Sequence, residues 1–377
     1  MSSSLLARMG TARVELDPGF VDILHRATSG EELSVDQGER LFHAEGEELR
    51  ALIQAANEVR RRRVGNIVTY VVNRNINHSN ICVGACKFCA FRRSQGDPDA
   101  YELTTEQVEA KVREAIRFGA TEVCIQGGLH PGFGLKNYLG VLRTVREISP
   151  HLHIHAFSPA ELDFIAGLEG MPIEDVIRVL QAAGLNSVPG TAAEILVDRV
   201  RDIICPGKIS AGRWMEIIKK CHRLGLPTTA TMLYGTVETP RERAEHLALI
   251  RKIQSETGGF TEFVPLAFMS SNTPLQLDGT VARPPDLAES VRVHAIARLM
   301  LAGWVDNIQV SWVKLGSKNA QVILNAGAND LSGTLMEENI SRAAGGNGQV
   351  MSPKQLEALI NEIGRIPKQR TTIYNIL

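Results

Sequence analysis

The 377-residue sequence lacks an excess of either charge: 41 Lys and Arg stand against 42 Asp and Glu. That balance leaves no footprint for nucleic-acid binding. The single basic run, Arg60–Arg63, reads as a solvated helix end. No apolar run reaches the length of a membrane span, and "MSSSLLARMG" leads into no signal-peptide core. Low-complexity tracts and internal repeats are missing too. These absences point to a cytoplasmic globular protein with no membrane and no nucleic-acid partner. Cysteine is sparse, at six residues, and in a reducing compartment sparse cysteines are not a disulfide framework.

A composition that is 44% hydrophobic and 22% charged supports a large core. Residues 1–63 read as a helical extension, with strong helix formers around Leu49, Leu52, Ile53 and Ala56. Strand-like and helix-like segments then alternate. "NIVTYVVNRNI" is followed by "TTEQVEAKVREAIRFGA", whose Thr104 and Gln107 have capping-box spacing. "TEVCIQGG", "HLHIHAFS", "NSVPG", "PTTATMLYG", "FTEFVPLAF" and "NIQVSW" read as further strands, and "TAAEILVDRVRDII" as one of the helices between them. About eight such units over residues 64–335 predict an α/β fold, a (β/α)8 TIM-type barrel, with residues 336–377 as a C-terminal helical tail. A doubly wound open sheet is the structural alternative.

In a barrel, chemistry gathers at the C-terminal ends of the strands. Three features fall there: the cysteine-bearing loop after the first strand, Gly127-Gly128 after the second, and Tyr234-Gly235 at the fifth. Strand alternation points His151, His153 and His155 inward, and likewise Asn307, Gln309 and Ser311. An interior lined this way needs polar partners, which predicts a polar small molecule in contact with His155, Asn307 and Gln309.

Half of the cysteines form one knot, "NINHSNICVGACKFCAFRR", in which Cys82, Cys86 and Cys89 are spaced C-x3-C-x2-C. Three thiolates on a four-iron cubane leave one iron free for a small molecule. Zinc with His78 or another cysteine as fourth ligand is the competing reading, but this is not a usual zinc spacing and no second C-x2-C pair exists. The isolated Cys124, Cys205 and Cys221 read as small buried hydrophobes.

The knot, with Phe88 before its last cysteine, resembles that of the radical S-adenosylmethionine enzymes. The resemblance implies one [4Fe–4S] cluster on Cys82, Cys86 and Cys89, its open iron chelated by S-adenosyl-L-methionine, and a 5′-deoxyadenosyl radical that abstracts hydrogen from substrate. It further implies that Gly127 and Gly128, with Gln126, meet the methionine amino group, although Leu129 stands where family members often have Glu. Glu194 resembles a ribose-contacting acid, with a solvated first-turn helix carboxylate as the alternative. Tyr234 and Gly235, with Glu238 nearby, resemble an adenine-side segment.

Longer stretches, among them "QGGLHP", "HAFSPAEL", "PGTAAEIL", "MEENISRAAG" and "QRTTIY", resemble one clan. It holds the deazaflavin synthases and two menaquinone-pathway enzymes, aminofutalosine synthase and cyclic dehypoxanthinylfutalosine synthase. "GACKFCAFRR", "IQGGLHP" and "TEFVPLAF" are most similar to the second component of the deazaflavin (FO) synthases. That resemblance implies transfer of the 4-hydroxybenzyl group of L-tyrosine to C5 of 5-amino-6-(D-ribitylamino)uracil, with loss of 2-iminoacetate, 5′-deoxyadenosine and methionine. It also implies a separate FO synthase subunit 1 as pathway partner, because the chain is too short for the fused two-barrel form. An electron donor such as flavodoxin or ferredoxin completes the set. A non-catalytic iron–sulfur carrier is the reading from a different class; it would need neither the interior nor the glycine pair.

Overall fold

The computed structural model describes residues 16–346 and 350–377; residues 1–15 of the expected helical extension lie outside them. The chain opens with helices α1 (Pro18–Ser29), α2 (Val35–Phe42) and α3 (Gly46–Val64). Asp17 caps α1, which ends on the left-handed Gly30, and Ser34 and Gln37 form a capping box on α2. Strands β1 (Ile67–Val71) and β2 (Asn73–Ile76) follow end to end, then α4 (Thr105–Arg117) behind the expected Thr104–Gln107 box. Next come β3 (Glu122–Ile125), α5 (Leu135–Ile148), β4 (His153–Ala156), α6 (Pro159–Glu169) and α7 (Ile173–Ala182). The run continues with α8 (Asp198–Ile204), α9 (Ala211–Arg223), β5 (Thr228–Tyr234), α10 (Pro240–Thr257), β6 (Phe260–Ala267), α11 (Pro274–Leu277) and α12 (Leu287–Met300). It closes with α13 (Trp312–Leu315), α14 (Ser317–Leu324), β7 (Asp330–Gly333), α15 (Asn339–Ala343), α16 (Pro353–Glu362) and β8 (Ile366–Gln369).

All strand pairings within the three sheets are parallel: β7-β1-β8, β2-β3-β4 and β5-β6. Single parallel bridges connect the sheets, His155 to Ser187, Val188 to Thr228, Phe263 to Ile308 and Gln309 to Asp330. The path of pairing therefore leads from β2 through every later strand to β7, and from β7 to β1. The expected strands "NSVPG" and "NIQVSW" are present only as such bridges. Helices pack outside. One core joins β2–β4 to α4–α7, and a larger one joins the other strands to the N-terminal helices, with Leu33, Leu52, Met232 and Ile296 fully buried.

Two segments depart from expectation. The helix expected from Thr191 begins only at Asp198. Ala192 and Glu194 have φ of 67° and 45°, in the left-handed region that an L-residue helix cannot propagate. The Arg201 guanidinium fixes this loop through the carbonyl oxygens of Ala192 and Ala193. The C-terminal tail is not helical throughout. After α16, β8 lies along β1 with Ile366 opposite Ile67 and Gln369 opposite Tyr70, and carries the following residues into the interior. No described helix is long and apolar enough to cross a membrane.

Burial makes five histidines reluctant to protonate, His153 and, at about 4, His222 among them. His155 is held down to about 4, His246 to about 3 and His294 to about 4. His246 Nδ1 also accepts the Leu196 N–H at 3.0 Å, which a proton on that nitrogen would break. Their folded values lie below the ordinary 6.5, so the unfolded chain binds more protons and stability rises with pH. The contribution is complete above about 6.5 and is lost as pH falls towards 4, on the order of 3 kcal/mol for each of the four held to about 4 or below. Glu262 acts in the opposite sense, because burial first, then neighbouring Asp330 and Glu122, raise it to about 7. Five histidines outweigh one glutamate, so denaturant unfolding of the metal-free protein should show a stability loss of several kcal/mol between pH 6.5 and 4. A flat profile there would show that these rings are protonated or hydrated in the native state.

Candidate active site

The cysteine loop is tied to the rim of the strands by backbone contacts. Cys82 N–H donates to Arg93 O at 3.0 Å, Val83 N–H to Leu129 O at 3.0 Å, and Lys87 N–H to Ile204 O at 2.8 Å. Cys82 Sγ accepts N–H groups of Gly84 at 3.3 Å and Leu129 at 3.2 Å. Such donors stabilise a thiolate and tune iron–sulfur potentials. Burial raises the thiol pKa of Cys86 and Cys89, so their deprotonation waits on a strong electrophile.

The geometry of the donor set separates zinc from a four-iron cluster. Among the described residues no three His, Cys, Asp or Glu side chains converge as ligands of one metal ion. A cubane spreads its thiolates over separate irons and needs no such convergence. His78, the candidate fourth zinc ligand, is buried and stacked on Phe133 with ring centroids 5.6 Å apart, its Nε2 3.4 Å from Glu161. Three cysteines on one loop, backbone N–H groups on a sulfur and a tight glycine cradle fit an iron–sulfur cubane.

The glycine pair forms that cradle. A Cβ on Gly128 would lie 2.1 Å from Ile81 O and 2.8 Å from Cys82 Cβ; one on Gly127 would lie 2.3 Å from the His78 ring. Glu161 holds the pair: its Oε1 accepts Gly127 N–H at 3.1 Å, while Oε2 completes the Ser158 capping box of α6. A carboxylate thus reaches the pair's backbone from the helix that follows the next strand. Gln126 lines the central cavity, its Oε1 accepting from Thr191 Oγ1 at 2.8 Å.

Glu194 is not a solvated first-turn carboxylate. It is buried in the loop before α8 and pairs with Lys208 at 2.6 Å. Lys208 lies over the Phe88 ring, 5.4 Å from its centroid. Burial opposes the Lys208 charge, but Cys86 and Glu194 outweigh it and raise its pKa. The lysine therefore brings positive charge to the cysteine loop.

The Tyr234 ring lies outside the cavity, edge-on to His294 of α12 with centroids 6.3 Å apart. Its strand position turns the side chain into the helical layer, so only backbone atoms there are available to a ligand. Gly235, at φ 86°, donates its N–H to Glu238 Oε1 at 2.5 Å, and Glu238 pairs with Arg243 at 2.7 Å.

The cavity runs down the strand interior from Gln126, Thr191, Lys314 and Glu338 to Glu122, Glu262 and Arg370. His155 and Gln309 line it as strand alternation predicts; His155 Nδ1 is 2.7 Å from Ser187 Oγ and Gln309 donates to Glu262 at 2.8 Å. His153 shares Ser187 Oγ at 2.7 Å, below the cavity, and His151 is exposed. Asn307 shares Gln309's parity but sits beneath the cavity lining, donating to Thr261 O at 2.9 Å. Cys124 lines the cavity beside Gln126, while Cys205 and Cys221 are core residues. Sequence reasoning missed Lys208, Lys314, Glu161, Glu122, Glu262 and Arg370. Only Glu161 carried a local signal, the S-x-x-E spacing of "SPAE".

Two family models and many named proteins match this chain. Residues 76–250 match the model of the Radical SAM superfamily, and residues 257–377 match the CofH/MqnC C-terminal region. A Methanopyrus kandleri protein named 5-amino-6-(D-ribitylamino)uracil–L-tyrosine 4-hydroxyphenyl transferase is 48% identical over 94% of this chain and 95% of its own. Proteins of the same name from Archaeoglobus fulgidus and Methanocaldococcus jannaschii are 51% and 48% identical, over 85% and 92% of this chain and 92% and 97% of theirs. Among solved structures, the [FeFe]-hydrogenase maturase HydG superposes with a TM-score of 0.74 at 14% identity, covering 94% of this chain and 77% of that one. Methylornithine synthase (PylB) superposes at 0.70 and 18%, covering 92% and 97%. At such identities these two likenesses concern the fold alone.

Proposed function

The chain belongs to the radical S-adenosylmethionine superfamily and, within it, to the 5-amino-6-(D-ribitylamino)uracil–L-tyrosine 4-hydroxyphenyl transferases, and from that premise we propose how its residues carry out the transfer. It is an enzyme that joins the 4-hydroxybenzyl group of L-tyrosine to 5-amino-6-(D-ribitylamino)uracil. Near 50% identity over most of both chains carries this reading. The C-terminal match spans the deazaflavin and menaquinone branches together; the full-length relatives favour the first.

Cys82, Cys86 and Cys89 would hold the [4Fe–4S] cluster, which would supply one-electron reductive cleavage of S-adenosyl-L-methionine and with it a hydrogen-abstracting radical. Gly127 and Gly128 bring backbone close to the cluster loop for the methionine end, and Gln126 adds a side chain beside them. Glu194, oriented by Lys208, serves the ribose; the backbone at Tyr234-Gly235 serves the adenine side. Lys314 lines the cavity, makes no ion pair among the described residues and has its pKa lowered by burial. It suits a substrate carboxylate. His155 and Gln309 meet the uracil substrate or its water, and Asn307 supports them from below. The barrel keeps bulk water from these groups and aligns the two substrates.

The circuit of parallel pairings supports a (β/α)8 barrel over residues 64–335, with residues 1–63 and 336–377 as extensions. Completion of the deazaflavin ring needs a second hydrogen abstraction at another carbon, which calls for a partner radical enzyme, FO synthase subunit 1. Flavodoxin or ferredoxin suits the electron demand, and free thiols with a reducible cluster suit the cytoplasm.

Anaerobic assay of the reconstituted enzyme with reductant, S-adenosylmethionine, tyrosine and 5-amino-6-(D-ribitylamino)uracil should yield 5′-deoxyadenosine and a hydroxybenzyl–uracil adduct by mass. Fluorescent deazaflavin should appear only after the partner is added. Turnover of a futalosine-type substrate with tyrosine inert would move the chain to the menaquinone branch. A reduced cluster whose spectrum ignores S-adenosylmethionine would favour a carrier.

A further inference from the structure

The deep end of the cavity has a chemistry of its own. Glu122 opens β3, five residues before Gly127, or roughly 16 Å down the strand from the cluster loop. There Glu262 and Asp330 bind a single guanidinium, Arg370, which β8 delivers from the C-terminal tail, and Glu122 lies near enough to feel its charge. Asp330 is fully engaged: it accepts from Thr69 Oγ1 at 2.6 Å, from Arg370 Nε at 2.5 Å and Nη2 at 3.2 Å, and from Ser332 N–H at 2.8 Å.

The other two carboxylates are only half used. Glu262 accepts from Gln309, Arg370 and Tyr374, all on Oε2. Glu122 accepts from Asn73 on Oε1 at 3.1 Å. Among the described residues, Glu262 Oε1 and Glu122 Oε2 have no partner. Thr372 is 4% exposed and lines the same cavity; its hydroxyl faces Glu122 but stays beyond hydrogen-bond distance of any partner. Buried acceptors left open at the wall of a cavity call for donors.

We propose that this floor, formed by Glu122, Glu262, Gln309, Arg370 and Thr372, is the seat of a neutral polyol, the ribityl chain of the acceptor substrate; the proposal rests on the substrate reading above. Each hydroxyl of such a chain donates to a carboxylate and accepts from Arg370 or Thr372 without adding charge. A ligand carboxylate here would be the fourth against one guanidinium. Tyrosine's reacting end must lie beside the adenosyl group at the opposite end, so the non-reacting tail of the uracil is the part able to reach this depth. The upward shift of Glu262 agrees with a floor short of donors when no ligand is bound.

The test compares 5-amino-6-(D-ribitylamino)uracil with 5,6-diaminouracil, which lacks the chain, in the reconstituted enzyme. Wild type should prefer the ribityl compound by about a hundredfold or more in kcat/KM, from several hydrogen bonds lost together. Thr372→Val should shrink that preference about fivefold, and Glu122→Gln about tenfold or more. Both changes should appear as KM for the ribityl compound, with tyrosine KM and S-adenosylmethionine cleavage unmoved. Calorimetric binding of the ribityl compound should weaken in parallel. Thr372→Val is nearly isosteric and removes at most a long contact to Glu122, so it keeps the test open if Glu122→Gln folds poorly. A preference unchanged in Thr372→Val, or equal losses on both uracils, would overturn the floor assignment while leaving the reaction standing. No turnover of either uracil by wild type would overturn the substrate reading and this inference with it.

Discussion

Alanine at any one of Cys82, Cys86 and Cys89 should lower reductive cleavage of S-adenosylmethionine by roughly a thousandfold or more, since the reaction has no other route to the electron. The three thiols sit on a half-buried loop fixed by backbone bonds to Arg93, Leu129 and Ile204, and the sulfurs add only the two weak acceptor contacts of Cys82 to Gly84 and Leu129. Metal-free wild type and variants should therefore unfold within about 1 kcal/mol of one another. Comparing metal-free forms matters, because a cluster bound only to the native state adds its own stabilisation. Cys221→Ala is the control: a buried core thiol far from the loop, it should retain iron and activity while losing about 1 kcal/mol of stability. Iron content, the cluster's electron paramagnetic resonance signal and 5′-deoxyadenosine yield give three separate readouts. A triple variant that kept iron and cleaved S-adenosylmethionine would sink the assignment of the loop.

Local and periodic features of this site were legible in the sequence; contacts between distant segments were not. Strand alternation places His155 and Gln309 in the interior, because a side-chain period of two follows from strand geometry alone. The same rule says nothing of depth, which is why Asn307 shares the parity of Gln309 and yet lies under the cavity. The helix expected across Glu194 fails because the Arg201 guanidinium and the Trp214 indole bind loop carbonyl oxygens, an interaction that helix propensity does not encode. Arg370 could not be placed from its position near the C-terminus: β8 pairs with β1 across about three hundred residues, and that pairing decides where the guanidinium points. Lys208 and Lys314 look like ordinary surface lysines until the fold buries them beside cysteines and carboxylates.

Gly128→Ala is expected to be the most damaging single-methyl change in the glycine pair. The added Cβ would lie 2.1 Å from Ile81 O, 2.7 Å from Ile81 C and 2.8 Å from Cys82 Cβ. All three atoms belong to the segment entering the cysteine loop. Gly128 N–H also donates to Ser79 O at 2.9 Å, so neither side can slide away without breaking a backbone bond. Relief must come from moving the loop by about an ångström, a displacement that can cost two orders of magnitude in a positioned reaction. The variant should thus lose about a hundredfold in S-adenosylmethionine cleavage, with a stability loss of roughly 1–3 kcal/mol from overpacking. Gly140→Ala separates this from a general effect of alanine. Gly140 lies inside α5, and a Cβ there meets nothing within 4 Å. That change should stabilise by about 0.5–1 kcal/mol and leave activity unchanged, because alanine favours the helix and nothing is displaced. Should Gly128→Ala bind and cleave S-adenosylmethionine like wild type, the close approach of the glycine pair to the cysteine loop would have no part in forming the site.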